Sequence, residues 1–167
     1  LSFKQFQDDK FVETVTHILS ESGVDPHRLE FELTETTIMT NSEETGDCMR
    51  ALNAMGSSFS LDDFGTGYSS FVHIHHLPID ALKVDRSFVE QIMLNDDAAT
   101  IVTAIINLAH SLNMMVVAEG AESEAQMRFL KEHCCDQVQG FYFSPPVPFA
   151  AICELIRTDT RLKLNSA

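Results

Sequence analysis

A parallel α/β fold is predicted by three features of this 167-residue chain. Strand-like runs alternate five times with segments whose apolar residues recur at helical spacing. One of those runs, 114–120, is almost wholly apolar, as a strand buried on both faces of a parallel sheet would be. Each run ends in acid, lysine or amide: Glu32 and Glu35, Asp62 and Asp63, Lys83 and Asp85, Glu119, and Gln139.

The elements follow in order. Phe11, Val12, Val15, Ile18 and Leu19 lie at helical spacing between Asp8/Asp9 and Gly23, which predicts a covering helix. Asp25-Pro26 makes the connection to a strand over 29–35. A second helix is expected to be capped by Ser42, with Glu43 and Glu44 in its first turn, Cys48, Leu52 and Met55 on one face and Gly56 at its end. Residues 57–61 alternate small polar side chains with Phe and Leu, the period of a short strand. Residues 71–77 read as helical, and Pro78 leads to a strand over 81–85. Asp96/Asp97 start a long helix with Ile101, Ile105, Leu108 and Leu112 inward, ahead of the apolar strand 114–120. Ser123 caps a helix carrying Met127, Phe129 and Leu130; a brief strand over 136–139 and a last helix over 149–156 complete the pattern.

Asp62 and Asp63 are the centre of the functional reading. Neighbouring strand residues face opposite ways, so both carboxylates reach one ligand only if the strand ends there and the backbone turns, which Gly65 and Gly67 permit. Carboxylates about 4 Å apart repel by roughly 4 kcal/mol at an effective dielectric of about 20, so a cation is expected to compensate them. Oxygen ligands suit Mg²⁺ or Mn²⁺. The plainer reading is a turn whose Asp residues cap the next helix. Five successive strand ends bearing acid, lysine or amide favour a metal site. In a (β/α)8 barrel those ends converge on one face; a doubly wound open sheet is the alternative, because five strands do not close a barrel.

Composition bounds the remaining classes. A 44 % hydrophobic content places the chain among globular proteins, within the range of one domain or part of one. A formal net charge of −14 provides no basic footprint for long nucleic acid, so an anionic substrate would need a metal as intermediary. Cys48, Cys134, Cys135 and Cys153 lack the spacing of a zinc site or a disulfide framework and read as reduced cytosolic thiols. No apolar run approaches the roughly 18 residues of a membrane span, so no direct membrane contact is expected from this segment; the expected location is cytoplasmic, with a membrane anchor in upstream segments of the parent protein as the alternative. His73, His75 and His76 read as exposed polar groups rather than a metal cluster.

Five pieces, E-L-T-E (32 to 35), D-D-F-G-T-G-Y-S-S (62 to 70), L-P-I-D-x-L-K-V-D-R-S-F-V (77 to 89), A-E-G-x-E (118 to 122) and Q-G-F-Y-F-S (139 to 144), come in the order and spacing of EAL-domain proteins. The chain resembles that family over essentially its whole length. The resemblance implies a TIM-like (β/α)8 barrel that hydrolyses cyclic di-GMP to linear pGpG with two Mg²⁺ or Mn²⁺ ions. By motif, Glu32 resembles a metal ligand, Asp62 the carboxylate bridging both ions, and Asp63 a ligand of the second. Lys83 is similar to the family's essential lysine, which holds the attacking water or neutralises charge on the phosphate. Glu119 is similar to the acid that serves as second-metal ligand or general base. Glu35 and Glu122 resemble the acids that steady the loop after Asp63, and Gln139 a polar, substrate-binding neighbour of the site.

The chain also departs from the family pattern. Pro145 stands where many members carry Arg or Lys. The E-A-L strand, with its metal-binding Glu and nearby Arg, and the ligand Asn of N-L-S are expected upstream of Leu1. The domain is therefore expected to span 1–157 as the last five strand-helix units of the barrel, with 158–167 a frayed tail. The resemblance further implies a homodimer and an upstream sensory or GGDEF domain. A second reading is an EAL module that binds cyclic di-GMP or a partner protein without hydrolysis. Asp62, Asp63, Lys83 and Glu119 are all present, which favours the enzyme.

Overall fold

Leu33, Phe59, Leu61, Leu82, Val84, Val116 and Ala118 are each at most 2 % exposed and alternate along their strands with the residues named above as candidate ligands. That alternation sets the layers of the molecule. The computed structural model describes residues 1–40, 42–65 and 76–158. Five strands, β1 (Glu30–Thr34), β2 (Ser58–Phe64), β3 (Ala81–Val84), β4 (Met115–Glu119) and β5 (Gln137–Gln139), form one sheet in chain order. Every neighbouring pair is parallel. A doubly wound sheet reverses its strand order at a switch point; this one does not, so it has the sequential order of a (β/α)8-type barrel.

The apolar side of the sheet is covered by helices. Phe31 and Phe59 are paired in register and stack with ring centroids 5.4 Å apart. Met49 and Leu52 from the helix Ser42–Ala54, Val102, Ile105, Ile106 and Ala109 from Asp96–Ser111, and Leu130 from Glu124–Glu132 complete one apolar cluster. Gly23, at φ +66°, ends the helix Phe11–Ser22 and donates its N–H to the Leu19 carbonyl, as the sequence predicts. Ser123 and Gln126 form a reciprocal capping box at the start of Glu124–Glu132. The helix Phe149–Arg157 buries none of its side chains.

Several expectations need correction. Ser42 is the first residue of its helix, not the residue before it. Glu35 opens the helix Glu35–Thr40 instead of ending β1. In Asp96–Ser111 the buried face is Ala98, Val102, Ile105, Ile106 and Ala109, whereas Ile101 is 41 % exposed. Apolar residues occupy much of that helix's circumference, and the stripe with two alanines lets the backbone approach the sheet. β4 is buried on one face only: Val116 and Ala118 are fully buried, while Met115 is 44 % exposed. Its other face belongs to the polar side of the sheet. The helix expected over 71–77, with His73 and His75, lies outside the described residues, as do residues 159–167 of the expected tail. His76 is exposed. Among the described residues no helix is long and apolar enough to cross a membrane.

Two aspartates clamp the lower ends of the strands. Asp80, just before β3, accepts the Phe59 N–H at 2.9 Å, and Asp136, just before β5, accepts the Val116 N–H at 2.8 Å. Asp136 also lies 2.9 Å from His110 Nε2. Burial would raise the Asp136 pKa, but the hydrogen bonds from His110 and Val116 outweigh it and hold the carboxyl below its ordinary value. The charged form is therefore favoured in the folded state, and its stabilising contribution is present at neutral pH and lost as pH falls through the depressed value. Asp136→Asn is expected to lower the urea midpoint at pH 7, with the difference from the parent closing below about pH 4. A difference that persists unchanged into acid would contradict this role.

Candidate active site

The acid pair owes its arrangement to an irregularity in β2. Leu61 pairs with Leu82 and Phe64 with Val84, so Asp62 and Asp63 together oppose the single residue Lys83. Two residues against one is a β-bulge. Asp63 takes the left-handed region at φ +55°, and its N–H donates to Asp62 Oδ1 at 3.0 Å. The strand does not end at the pair, as the sequence reading expected; it continues to the buried Phe64, and the extra residue breaks the alternation instead.

Lys83 is the hub of this site. Its side chain is 8 % exposed, and its ammonium lies 2.6 Å from Glu119, 2.8 Å from Glu32 and 3.4 Å from Asp62. These acids come from β4, β1 and β2, so one cation ties together residues separated by many tens of positions in the chain. Burial alone would lower the lysine pKa. The hydrogen bonds to Glu119 and Glu32, together with the charges of Glu119 and Asp62, reverse that and raise it above the ordinary value. Asp63 is exposed and stands outside this ring of carboxylates. Burial, then the charges of Asp62 and Asp85, raise its pKa against the opposing influence of Lys83.

The donor set fits a hard cation. Glu32, Asp62, Asp63 and Glu119 offer only carboxylate oxygen, and three of them share one ammonium, an excess of negative charge that divalent ions compensate. Among the described residues no group of three acid, histidine or cysteine side chains is positioned to enclose an ion; three of the four carboxylates are gathered on Lys83 instead.

The other candidate residues lie around this cluster. Gln139 pairs with Glu119 in the register, and its carbonyl accepts the N–H groups of Gly120 and Ala121 at 2.7 and 3.3 Å. A cavity of ≈ 470 Å³ opens beside Glu119 and Gln139, lined also by Arg86, Glu122, Phe141 and Phe143. Pro145 lines it too. Glu35 is buried at the head of its helix. Glu122 bonds Arg86 Nη2 at 2.8 Å; residues 66–75, which contain most of the loop that Glu35 and Glu122 were expected to steady, lie outside the described residues.

Arg86 and Gly140 carry weight that the sequence reading missed. A Cβ on Gly140 would lie 2.1 Å from the Ala121 carbonyl oxygen, so only glycine fits where β5 ends against the segment after Glu119. Arg86 is three residues beyond Lys83 in a motif already singled out, but its partner Glu122 lies 36 residues away, and nothing local marks the pair.

Comparison with known proteins agrees with this geometry. The family model "EAL domain" matches residues 1–146. A cyclic di-GMP phosphodiesterase of Pseudomonas aeruginosa, NbdA, is 45 % identical over 146 residues, covering 87 % of this chain and 19 % of the relative. The chain thus spans about a fifth of that protein's length. A solved structure of the PaMucR phosphodiesterase in complex with c-di-GMP superposes with a TM-score of 0.86 at 39 % identity, over 91 % of this chain and 62 % of that one. The Klebsiella pneumoniae BlrP1 calcium/cy-diGMP complex gives a TM-score of 0.78 at 29 % identity, over 85 % of this chain and 36 % of that one.

Proposed function

Because the chain belongs to the EAL-domain family, we propose that it forms part of a phosphodiesterase that hydrolyses cyclic di-GMP to linear pGpG with divalent metal ions. The observation that carries this reading is the gathering of Glu32, Asp62 and Glu119 on one buried lysine across four adjacent parallel strands, with Asp62 and Glu119 toward their carboxyl ends, the side on which barrel enzymes build their sites. In this reading the chain supplies the last five strand-helix units of the domain, over 1–157, and preceding residues supply the remaining ligands.

Glu32, Asp62, Asp63 and Glu119 would hold two ions, Mg²⁺ or Mn²⁺, which when bound generate a water nucleophile near neutral pH and stabilise charge on the attacking and leaving oxygens. Lys83 keeps its proton, since its carboxylate partners raise its pKa. It therefore acts as a fixed positive charge and hydrogen-bond donor toward the attacking water or a phosphoryl oxygen, not as a base. Glu119, 2.6 Å from that ammonium, is ion-paired and 21 % exposed at the cavity rim, placed to orient or accept a proton from water. Gln139 and the exposed Phe141 and Phe143 offer a polar amide and apolar surface to the nucleotide. Glu35 and Glu122 would steady the loop after Asp63. Pairing of two such domains, and an upstream sensory or cyclase domain in a longer cytoplasmic protein, belong to the same reading.

Asp63→Asn separates catalysis from binding. Turnover of cyclic di-GMP is expected to fall by about 100-fold or more, while calorimetric binding of the nucleotide stays within about 10-fold of the parent. Equal loss of binding and turnover, or no loss of either, would contradict the assignment of Asp63.

A further inference from the structure

The segment that carries Glu119 is fixed from outside the carboxylate cluster. Asp85 caps the one-turn helix Arg86–Val89, accepting the Ser87 N–H at 3.0 Å, so Arg86 is held at a defined place just beyond β3. Its aliphatic stem lies on Gly120, where a Cβ would come within 2.3 Å of Arg86 Cγ. Gly120 has φ +75° and directly follows Glu119. The guanidinium spans two acids: Nε donates to Glu90, which caps the end of its own helix, and Nη2 to Glu122 at 2.8 Å. A second tie lies alongside, since Gln126, itself buried, donates to the Val89 carbonyl at 3.1 Å and accepts the Glu122 N–H at 2.8 Å. Segment 119–122 is thus clamped to the end of β3 at three places: Lys83 on Glu119, the Arg86 stem on Gly120, and the Arg86 fork on Glu122.

We propose that Arg86 is a positioning residue for the phosphodiesterase site, acting through Gly120 and Glu122 to hold the Glu119 carboxylate against Lys83. The charged arm alone would contribute little, since Arg86 and Glu122 are about half exposed. Its effect is geometric. A shift of the backbone at Gly120 moves Glu119 directly, and Glu119 has no slack to absorb it, because its other constraint is a short contact to a lysine that two further acids also hold. Small misplacements of a catalytic carboxylate cost rate far more than they cost stability.

The kinetic arm of the test rests on the phosphodiesterase reading; an exchange arm does not. The variants, made in this chain within its complete EAL domain, are Arg86→Met, which keeps the stem and removes the fork, Arg86→Lys, Glu122→Gln, and the Arg86→Met/Glu122→Gln double variant. By hydrogen–deuterium exchange, the amides of Gly120 and Ala121, bonded to the Gln139 carbonyl, are expected to exchange about 10-fold faster in Arg86→Met than in the parent. In turnover of cyclic di-GMP, Arg86→Met is expected to lower kcat by about 10-fold to 100-fold with KM changed less than about 2-fold, and Arg86→Lys to recover part of the loss. The double variant is expected to be no slower than Arg86→Met alone, because both changes break one connection. Unchanged exchange at 120–121 would overturn the proposal whether or not the parent turns over cyclic di-GMP. So would a rise in KM with kcat intact, which would make Arg86 a direct ligand contact, or fully additive losses in the double variant. A parent that shows no turnover, with faster exchange in Arg86→Met, would refute the phosphodiesterase reading and leave the clamp on segment 119–122 standing.

Discussion

Lys83→Met is expected to lower kcat for cyclic di-GMP hydrolysis by about 1000-fold, equivalent to about 4 kcal/mol of lost transition-state stabilisation. Among the described residues the lysine is the one cation on which Glu32, Asp62 and Glu119 all converge, and it is nearly buried. Methionine preserves the length and the apolar stem, so the variant reports the charge and its donors rather than a cavity. Removing the ammonium also leaves three carboxylates facing one another, so the melting temperature without divalent ions should fall. Added Mn²⁺ should then raise the melting temperature of the variant by more than that of the parent, because the ion takes over charge compensation that the lysine supplied. A variant that keeps kcat within about 10-fold of the parent would show that the lysine serves the fold and not the reaction.

Gly140→Ala should produce the largest loss of stability of any single methyl addition near the site. The added carbon would stand 2.1 Å from the Ala121 carbonyl oxygen and 2.5 Å from its nitrogen, both backbone atoms that no side-chain rotation can move aside. The same stretch carries the bonds from Gly120 to the Gln139 carbonyl and from the Tyr142 N–H to the Ala121 carbonyl, so relief of the clash must break a connection between β5 and the segment after Glu119. A destabilisation of about 3 kcal/mol, read from urea denaturation, is expected. An unchanged urea midpoint would mean that the two segments separate without cost and that Gly140 does not fix Glu119.

The parts of this molecule that the sequence made legible are those written in local spacing. Strand and helix alternation shows the layers, and the strand order needed only the absence of a reversal to be settled. Ser123 and Gly23 announce helix ends because a cap needs only its own few residues. Asp62 and Asp63 could be read as a pair sharing one site, but the device that achieves it could not: the bulge exists only relative to β3, where Lys83 sits opposite both. In helix Asp96–Ser111 the expected inward Ile105 is buried but Ile101 is exposed, for a related reason: periodicity offers two apolar stripes and the sheet chooses between them. Asp80 and Asp136 were invisible as strand clamps because each acts on a backbone N–H at least 20 residues away. The Arg86–Glu122 pair was invisible for the same reason.

The central claim is tested most directly by metal-dependent turnover. A polypeptide carrying this chain within its complete EAL domain is incubated with cyclic di-GMP and Mg²⁺ or Mn²⁺, and the nucleotides are separated by chromatography, with an Asp62→Asn variant alongside. The expected result is pGpG that appears only with the divalent ion and is abolished by chelation and by the substitution. Bound but intact cyclic di-GMP with either metal, in the parent and in Asp62→Asn alike, would contradict the phosphodiesterase account and identify the domain as a receptor for the nucleotide.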